Sequence, residues 1–196
     1  MPSPFLSETP VLAIGASTGG PTAVAELLSA LPSTLSAAVL VVQHLDRGFS
    51  KNLADMLGSQ ASLPVALAEP GDRLKPGRVY VAKGGDHMVL SSVNTLEYRR
   101  EPADNPYRPS IDALFGSLAQ ANLPLGVAVL LTGMGSDGAQ GLLRLKQAGW
   151  FTIAQDKNSS AVYGMPKAAR DLGAANLILP LSAIASQAAK HLQHHD

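Results

Sequence analysis

Three short apolar runs in this chain end alike, and that ending decides the architecture open to it. Val11-Leu12-Ala13-Ile14 leads into Gly15-Ala16-Ser17-Thr18-Gly19-Gly20, and Ala37 to Val42 leads into Gln43-His44. Val127 to Leu131 leads into Thr132-Gly133-Met134-Gly135-Ser136-Asp137-Gly138. Each run is apolar at consecutive positions and too short for a helix, which describes a strand buried on both faces. Segments of helical periodicity follow. Pro21 opens one with Val24, Leu27, Leu28 and Leu31 on one face, and Ser50 is placed to cap another that buries Leu53, Met56 and Leu57. Further strands are expected near 65–68, 151–154 and 177–179, and helices at 111–121, 138–147, 166–172 and 181–192, with Ser110 capping the first of these. Strands that alternate with helices imply an α/β fold, a mostly parallel sheet with crossover helices on both faces.

The middle of the chain breaks the alternation. Segments 78–82, 87–90 and 95–99 are separated by Gly84-Gly85-Asp86 and by Ser91 to Asn94, spacings that suit hairpins and leave no room for crossover helices. A small antiparallel excursion is expected there. Glu101 to Pro109 carries three prolines and reads as an extended loop into the next helix.

Composition narrows the function. With 196 residues, 46% of them hydrophobic and 15% charged, one compact domain is expected. Fifteen basic residues balance fifteen acidic ones, so no overall field draws the protein to nucleic acid or anionic lipid. No cysteine is present, which excludes disulfides, thiolate metal sites and cysteine nucleophiles. The first ten residues lack the basic start and apolar stretch of a signal peptide, and no apolar run approaches membrane-spanning length. A cytoplasmic protein without membrane insertion is the expectation. His191, His194 and His195 are spaced like solvated residues at a helix end, with metal binding the lesser alternative.

A parallel sheet gathers the ends of its strands along one edge, where ligands bind. The three loops would therefore bring a serine, a base and an acid to one place. Gly15-Ala16-Ser17-Thr18-Gly19 fits the G-x-S-x-G pattern of a nucleophile elbow, in which small neighbours allow a tight turn that exposes the hydroxyl. The same glycines also suit a plain packing turn. A phosphate loop is less apt, because Pro21 stands where a lysine would be needed. His44 at a strand end is placed for proton transfer, though a lone histidine there can also be structural. His87, in the hairpin region, competes for the role and reads better as a packing residue. Asp137 either caps the helix that follows it or holds the base, and the glycines around it could aim free N–H groups at a developing negative charge. A nucleophilic serine needs a base, and the base needs an acid to fix its tautomer, so the three loops together point to a hydrolase. The chain order serine, histidine, aspartate differs from that of α/β-hydrolases.

Taken with several rarer segments, these motifs resemble the bacterial chemotaxis receptor methylesterases of the CheB type. The shared segments are Ile14 to Gly20, Val42-Gln43-His44, Leu74 to Ala82 with Gly85-Asp86-His87-Met88, Arg108 to Phe115, Leu131 to Gly138, and Tyr163-Gly164-Met165-Pro166. They run from about residue 11 to residue 192.

The resemblance implies a doubly wound α/β domain with Ser17, His44 and Asp137 as a triad. It also implies an oxyanion donor in the loop of Met134, Thr18 beside the nucleophile, and no cofactor or metal. The implied reaction is hydrolysis of glutamate γ-methyl esters on cytoplasmic chemoreceptor helices, with deamidation of receptor glutamines as a related activity. A silent receptor-binding module of the same fold is the alternative. Ser136 stands where many members have asparagine. Familiar members also carry a phosphorylatable receiver domain, so this chain is expected to be either an excised catalytic domain or a stand-alone member. The expected division is an extension over 1–10, a catalytic domain over 11–192 and a tail over 193–196.

Overall fold

The computed structural model describes residues 8–193. Most of the expected N-terminal extension lies outside the described residues, as do His194 and His195. Nine strands and six helices follow one another: β1 (Val11–Ala16), α1 (Gly20–Ala30), β2 (Ala38–Gln43), α2 (Ser50–Gln60), β3 (Val65–Leu67), β4 (Val79–Val81), β5 (His87–Leu90), β6 (Leu96–Arg99), α3 (Ile111–Gln120), β7 (Val127–Leu130), α4 (Ala139–Gln147), β8 (Phe151–Gln155), α5 (Met165–Asp171), β9 (Leu177–Leu179) and α6 (Leu181–Gln193). A single 3₁₀ turn, Arg47–Phe49, precedes α2.

Seven strands form one parallel sheet in the order β3-β4-β2-β1-β7-β8-β9. Alternate residues of each central strand serve opposite faces. Leu12 and Ile14, Val39 and Val41, and Val127 and Val129 pack with residues of α1, α2 and α6. Ala13, Leu40, Ala128 and Leu130 pack on the other face with residues of α3, α4 and α5. Two separate cores result, which explains why the central strands carry no polar alternation. The doubly wound architecture expected from the sequence is present.

Strand order reverses around β1: the chain leaves β1 towards β2 on one side and later returns to β7 on the other. The crevice between the ends of β1 and β7 is thus the topological switch point, the usual ligand position in such sheets.

The middle of the chain differs from the expectation in one strand. β5 and β6 do form an antiparallel hairpin, with Met88 opposite Tyr98. β4, expected in the same excursion, instead lies in the main sheet, parallel to both β2 and β3. The loop 68–78 alone joins β3 to β4, and Gly84-Gly85-Asp86 then carries the chain out of the sheet. Val79, Tyr80 and Val81 are all buried, so β4 gains from a place between two strands what an exposed hairpin would deny it.

Two helix ends also differ. Ser50 is the first residue of α2 and makes no cap hydrogen bond. Its hydroxyl donates to the Arg47 carbonyl at 3.1 Å and accepts the Gly84 N–H at 2.8 Å, tying the turn after β2 to the loop after β4. His191 is half-buried and stacks on Phe151 with centroids 3.5 Å apart, where a solvated side chain was expected.

Candidate active site

β1 ends in a turn that needs its glycines. Gly19 has φ +79°, a left-handed conformation that favours glycine, and a Cβ on Gly15 would meet Ile111 Cγ2 at 2.5 Å. Ser17 follows the strand with its backbone fully committed. Its N–H donates to the Thr132 carbonyl at 3.0 Å, and its own carbonyl accepts from Gly20 N–H at 2.7 Å and Gln43 Nε2 at 2.8 Å. Among the described residues its hydroxyl has no hydrogen-bond partner, His44 included.

His44 begins the loop after β2. Its N–H donates to the Ala16 carbonyl at 3.1 Å, so the chain at His44 lies against the last residue of β1. Gln43 Nε2 bridges the carbonyls of Ser17 and His44, at 2.8 and 3.2 Å. The imidazole is nearly buried. Nε2 meets Asp137 Oδ2 at 2.6 Å, whereas the buried Nδ1 has no partner.

Asp137 is buried and occupies an anion seat. Its Oδ2 also accepts the Ile111 N–H at 2.7 Å, and its Oδ1 accepts Ser110 Oγ and the Asp112 N–H, each at 3.0 Å. These donors are the N-terminal residues of α3, where unpaired amides and the helix dipole favour negative charge. Of the two readings open at the sequence level, capping of the following helix does not hold: Gly138, at φ +90°, is the N-cap of α4. Asp137 instead accepts the first two amides of α3, the helix whose N-cap is Ser110. Burial alone would raise its carboxyl pKa, but the His44 hydrogen bond and the Ile111 and Asp112 amides outweigh burial and hold it below the usual value. An ionised Asp137 can only accept, so Nε2 of His44 carries a proton, and in the neutral ring Nδ1 is then the nitrogen with the lone pair.

Met134 is 63% exposed, on the loop between β7 and α4. Among the described residues its N–H has no protein acceptor. A Cβ on Gly133, next to it, would lie 2.6 Å from Ser17 Cβ, so a side chain there would force one of the two loops to shift. Thr132 fixes this loop: its N–H donates to Gln155 Oε1 at 2.8 Å, and its hydroxyl donates to the Thr18 carbonyl at 3.0 Å. Thr18 is exposed beside Ser17. The structure thus joins His44 to Asp137 directly and sets the loops of Ser17, Thr18 and Met134 against them at the switch point.

His87 is fully buried and structural. Its Nδ1 accepts the Ser110 N–H and its Nε2 donates to the Pro102 carbonyl, each at 3.0 Å, so it steadies the residue that caps α3. Sequence reasoning missed Gln43, Tyr107 and Thr132. Gln43 and Thr132 carried a usable signal, being polar residues at the exits of apolar strands. Tyr107 sits in the proline-rich loop, and its ring stacks on His44 with centroids 4.1 Å apart and planes 5° from parallel. Among the described residues no group of three or more His, Asp or Glu side chains is arranged to hold a metal ion, and no helix is long and apolar enough to cross a membrane.

A doubly wound sheet with a carboxylate-held histidine and a serine turn at its switch point defines a class of α/β proteins with the parts of a serine hydrolase. Comparison with known proteins makes the assignment specific. The CheB methylesterase family matches residues 12–188, and the chain belongs to that family. It is 52% identical over 180 residues to protein-glutamate methylesterase/protein-glutamine glutaminase 1 of Burkholderia lata, covering 92% of this chain and 54% of the relative. A protein of the same description from Mesorhizobium japonicum is 53% identical over 177 residues, covering 90% and 52%. The chain therefore spans about half the length of the curated relatives it matches. Its fold is that of the CheB methylesterase catalytic domain of Thermotoga maritima, with a TM-score of 0.88 and 35% identity, over 94% of this chain and 100% of that one.

Proposed function

We propose that this chain is the catalytic part of a protein-glutamate methylesterase that hydrolyses glutamate γ-methyl esters on the cytoplasmic helices of chemoreceptors. It works in the cytoplasm, without cofactor or metal, with a receiver domain as its regulatory partner. The carrying observation is the imidazole of His44, with Nε2 committed to Asp137 and a buried, unpartnered Nδ1, beside the Ser17 turn. The names of relatives about half identical in sequence support the substrate class.

In this reading Nδ1 of His44 takes the hydroxyl proton as Ser17 Oγ attacks the ester carbonyl. The tetrahedral oxyanion is met by the free N–H of Met134, with Thr18 on the flank of the nucleophile. The imidazolium returns its proton to the departing methoxide, so methanol leaves and an acyl-serine remains. Water then attacks the acyl group with His44 again as base, releasing a glutamate carboxylate and restoring Ser17. Asp137 stays ionised throughout and holds the ring. A glutamine side chain presented to the same groups would pass its acyl group to Ser17 and release its amide nitrogen, protonated by His44, as ammonia, which accords with the double name of the relatives.

The test is methanol release from a methylated receptor fragment by the wild type and by Ser17→Ala. The variant should lose on the order of 10⁴ to 10⁶ in turnover with an unchanged melting temperature. Most of the rate surviving in Ser17→Ala would reject Ser17 as nucleophile. A silent docking module would fail to form a covalent adduct between Ser17 and a serine-directed acylating reagent.

A further inference from the structure

We infer that Tyr107 is a positioning residue for this reaction, a π-face that stabilises the imidazolium of His44 as it forms; the inference rests on the proposed role of His44 as base. The nearly buried ring acquires a full charge when His44 takes the Ser17 proton. Asp137 answers it along one edge, through Nε2. Tyr107 answers it from one face, with centroids 4.1 Å apart and planes only 5° from parallel.

The geometry favours the charged state over the neutral one. Two neutral rings stacked in parallel gain only a modest aromatic contact. A cation over the same face is attracted, within about 6 Å of the centroid. The contact therefore strengthens as the proton moves, which is the condition for accelerating a step and not merely binding a substrate.

The Tyr107 ring is also held in place. The Tyr107 backbone N–H donates to Asn105 Oδ1 at 2.9 Å, and the neighbouring Arg108 carbonyl accepts the Gly85 N–H at 2.9 Å. Gly135 lies against the phenol, since a Cβ there would be 3.2 Å from the Tyr107 hydroxyl oxygen. Tyr107 thus spans the base and the Met134 loop, and forms one wall of a 300 Å³ cleft that opens beside His44.

The experiment replaces Tyr107 with Leu, with Phe, and with phenylalanines carrying one, two and three ring fluorines, which weaken the quadrupole stepwise at nearly constant shape. Methanol release gives kcat and KM, and the rate of Ser17 acylation by an activated aryl ester gives a readout independent of the receptor substrate. Tyr107→Leu should lower kcat about thirtyfold with KM unchanged, the size of a desolvated cation–π contact. Tyr107→Phe should recover most of that loss, and both rates should fall in step with fluorination while the melting temperature stays flat. Equal acylation rates across the fluorinated series, or full turnover in Tyr107→Leu, would overturn the inference. A wild type that acylates but releases no methanol would reject the methylesterase reading alone, and the acylation series would still decide the role of Tyr107. A wild type inert in both assays would remove the base and the inference with it.

Discussion

The Ile111 amide and the His44 imidazole donate to the same oxygen, Asp137 Oδ2, at 2.7 and 2.6 Å. A helix N-terminus and the proposed base thus share one carboxylate. Fixing α3 fixes the acid, and fixing the acid fixes the ring.

Asp137→Asn should damage both stability and rate. An amide presents NH₂ on one side, so either the His44 and Ile111 donors or the Ser110 and Asp112 donors lose their acceptor. Leaving such buried groups unpaired costs about 1–3 kcal/mol. The rate should fall by about 10⁴, as expected when the base loses the partner that holds its tautomer. Urea denaturation and methanol release measure the two effects.

Ser110→Ala separates the cap from the chemistry. Ser110 Oγ accepts the Ala113 N–H at 3.3 Å while donating to Asp137 Oδ1. Its loss should cost about 1 kcal/mol of stability, the usual value of an N-cap. Asp137 keeps two backbone amides and His44, so the rate should fall far less than in Asp137→Asn. Equal rate losses in the two variants would contradict the seat described for the acid.

Asp112 and Asp137 respond to pH with opposite sign. Burial pushes the Asp112 carboxyl up to about 6, with the neighbouring Asp137 charge adding to it and the Gly141 amide opposing. A native pKa above the unfolded value disfavours the charged form, so Asp112 destabilises the fold above about pH 6 and the penalty fades as the pH falls towards 4. Asp112→Asn keeps an oxygen for the Gly141 N–H, which now lies 2.7 Å from Oδ1. It should be more stable than the wild type at about pH 8 and equal to it near pH 4. Asp137, whose native pKa is lowered, contributes stability above its unfolded pKa and loses it as the pH drops through the native value. Denaturation at three pH values reads both trends.

Gly133→Ala should lower the rate more than the stability. The added Cβ would stand 2.6 Å from Ser17 Cβ and 2.7 Å from Met165 Cε. Relieving that overlap costs about 1–3 kcal/mol and must move either the serine turn or the Met134 loop. A crystal structure of the variant with unchanged loops and full turnover would contradict this.

Much of the fold was legible because burial on both faces leaves its mark in the chain: 11–14, 37–42 and 127–131 are apolar at every position and appear as central strands. Ser110 was legible as a cap because its helix has a clear apolar face. The place of β4 was not, since Val79-Tyr80-Val81 suits a parallel and an antiparallel neighbour equally, and the choice depends on β2 and β3. Two of the three loops of the candidate site were visible as glycine clusters after apolar runs, and the third as a histidine at the end of such a run. The seat of Asp137 was hidden, because its donors lie about 26 residues earlier at the start of α3. Tyr107 gave no local signal at all, as a single aromatic residue between Pro106 and Arg108 in a loop without periodicity.

The attachment of Asp137 to α3 bears on how such a domain can be rebuilt. Grafting only the turns that hold Ser17, His44 and Asp137 onto another parallel scaffold would transplant the acid without the amides that orient it. A workable transplant has to take the 110–112 junction as well, and any circular permutation that opens the chain there would release the carboxylate that holds His44 while leaving the sheet intact.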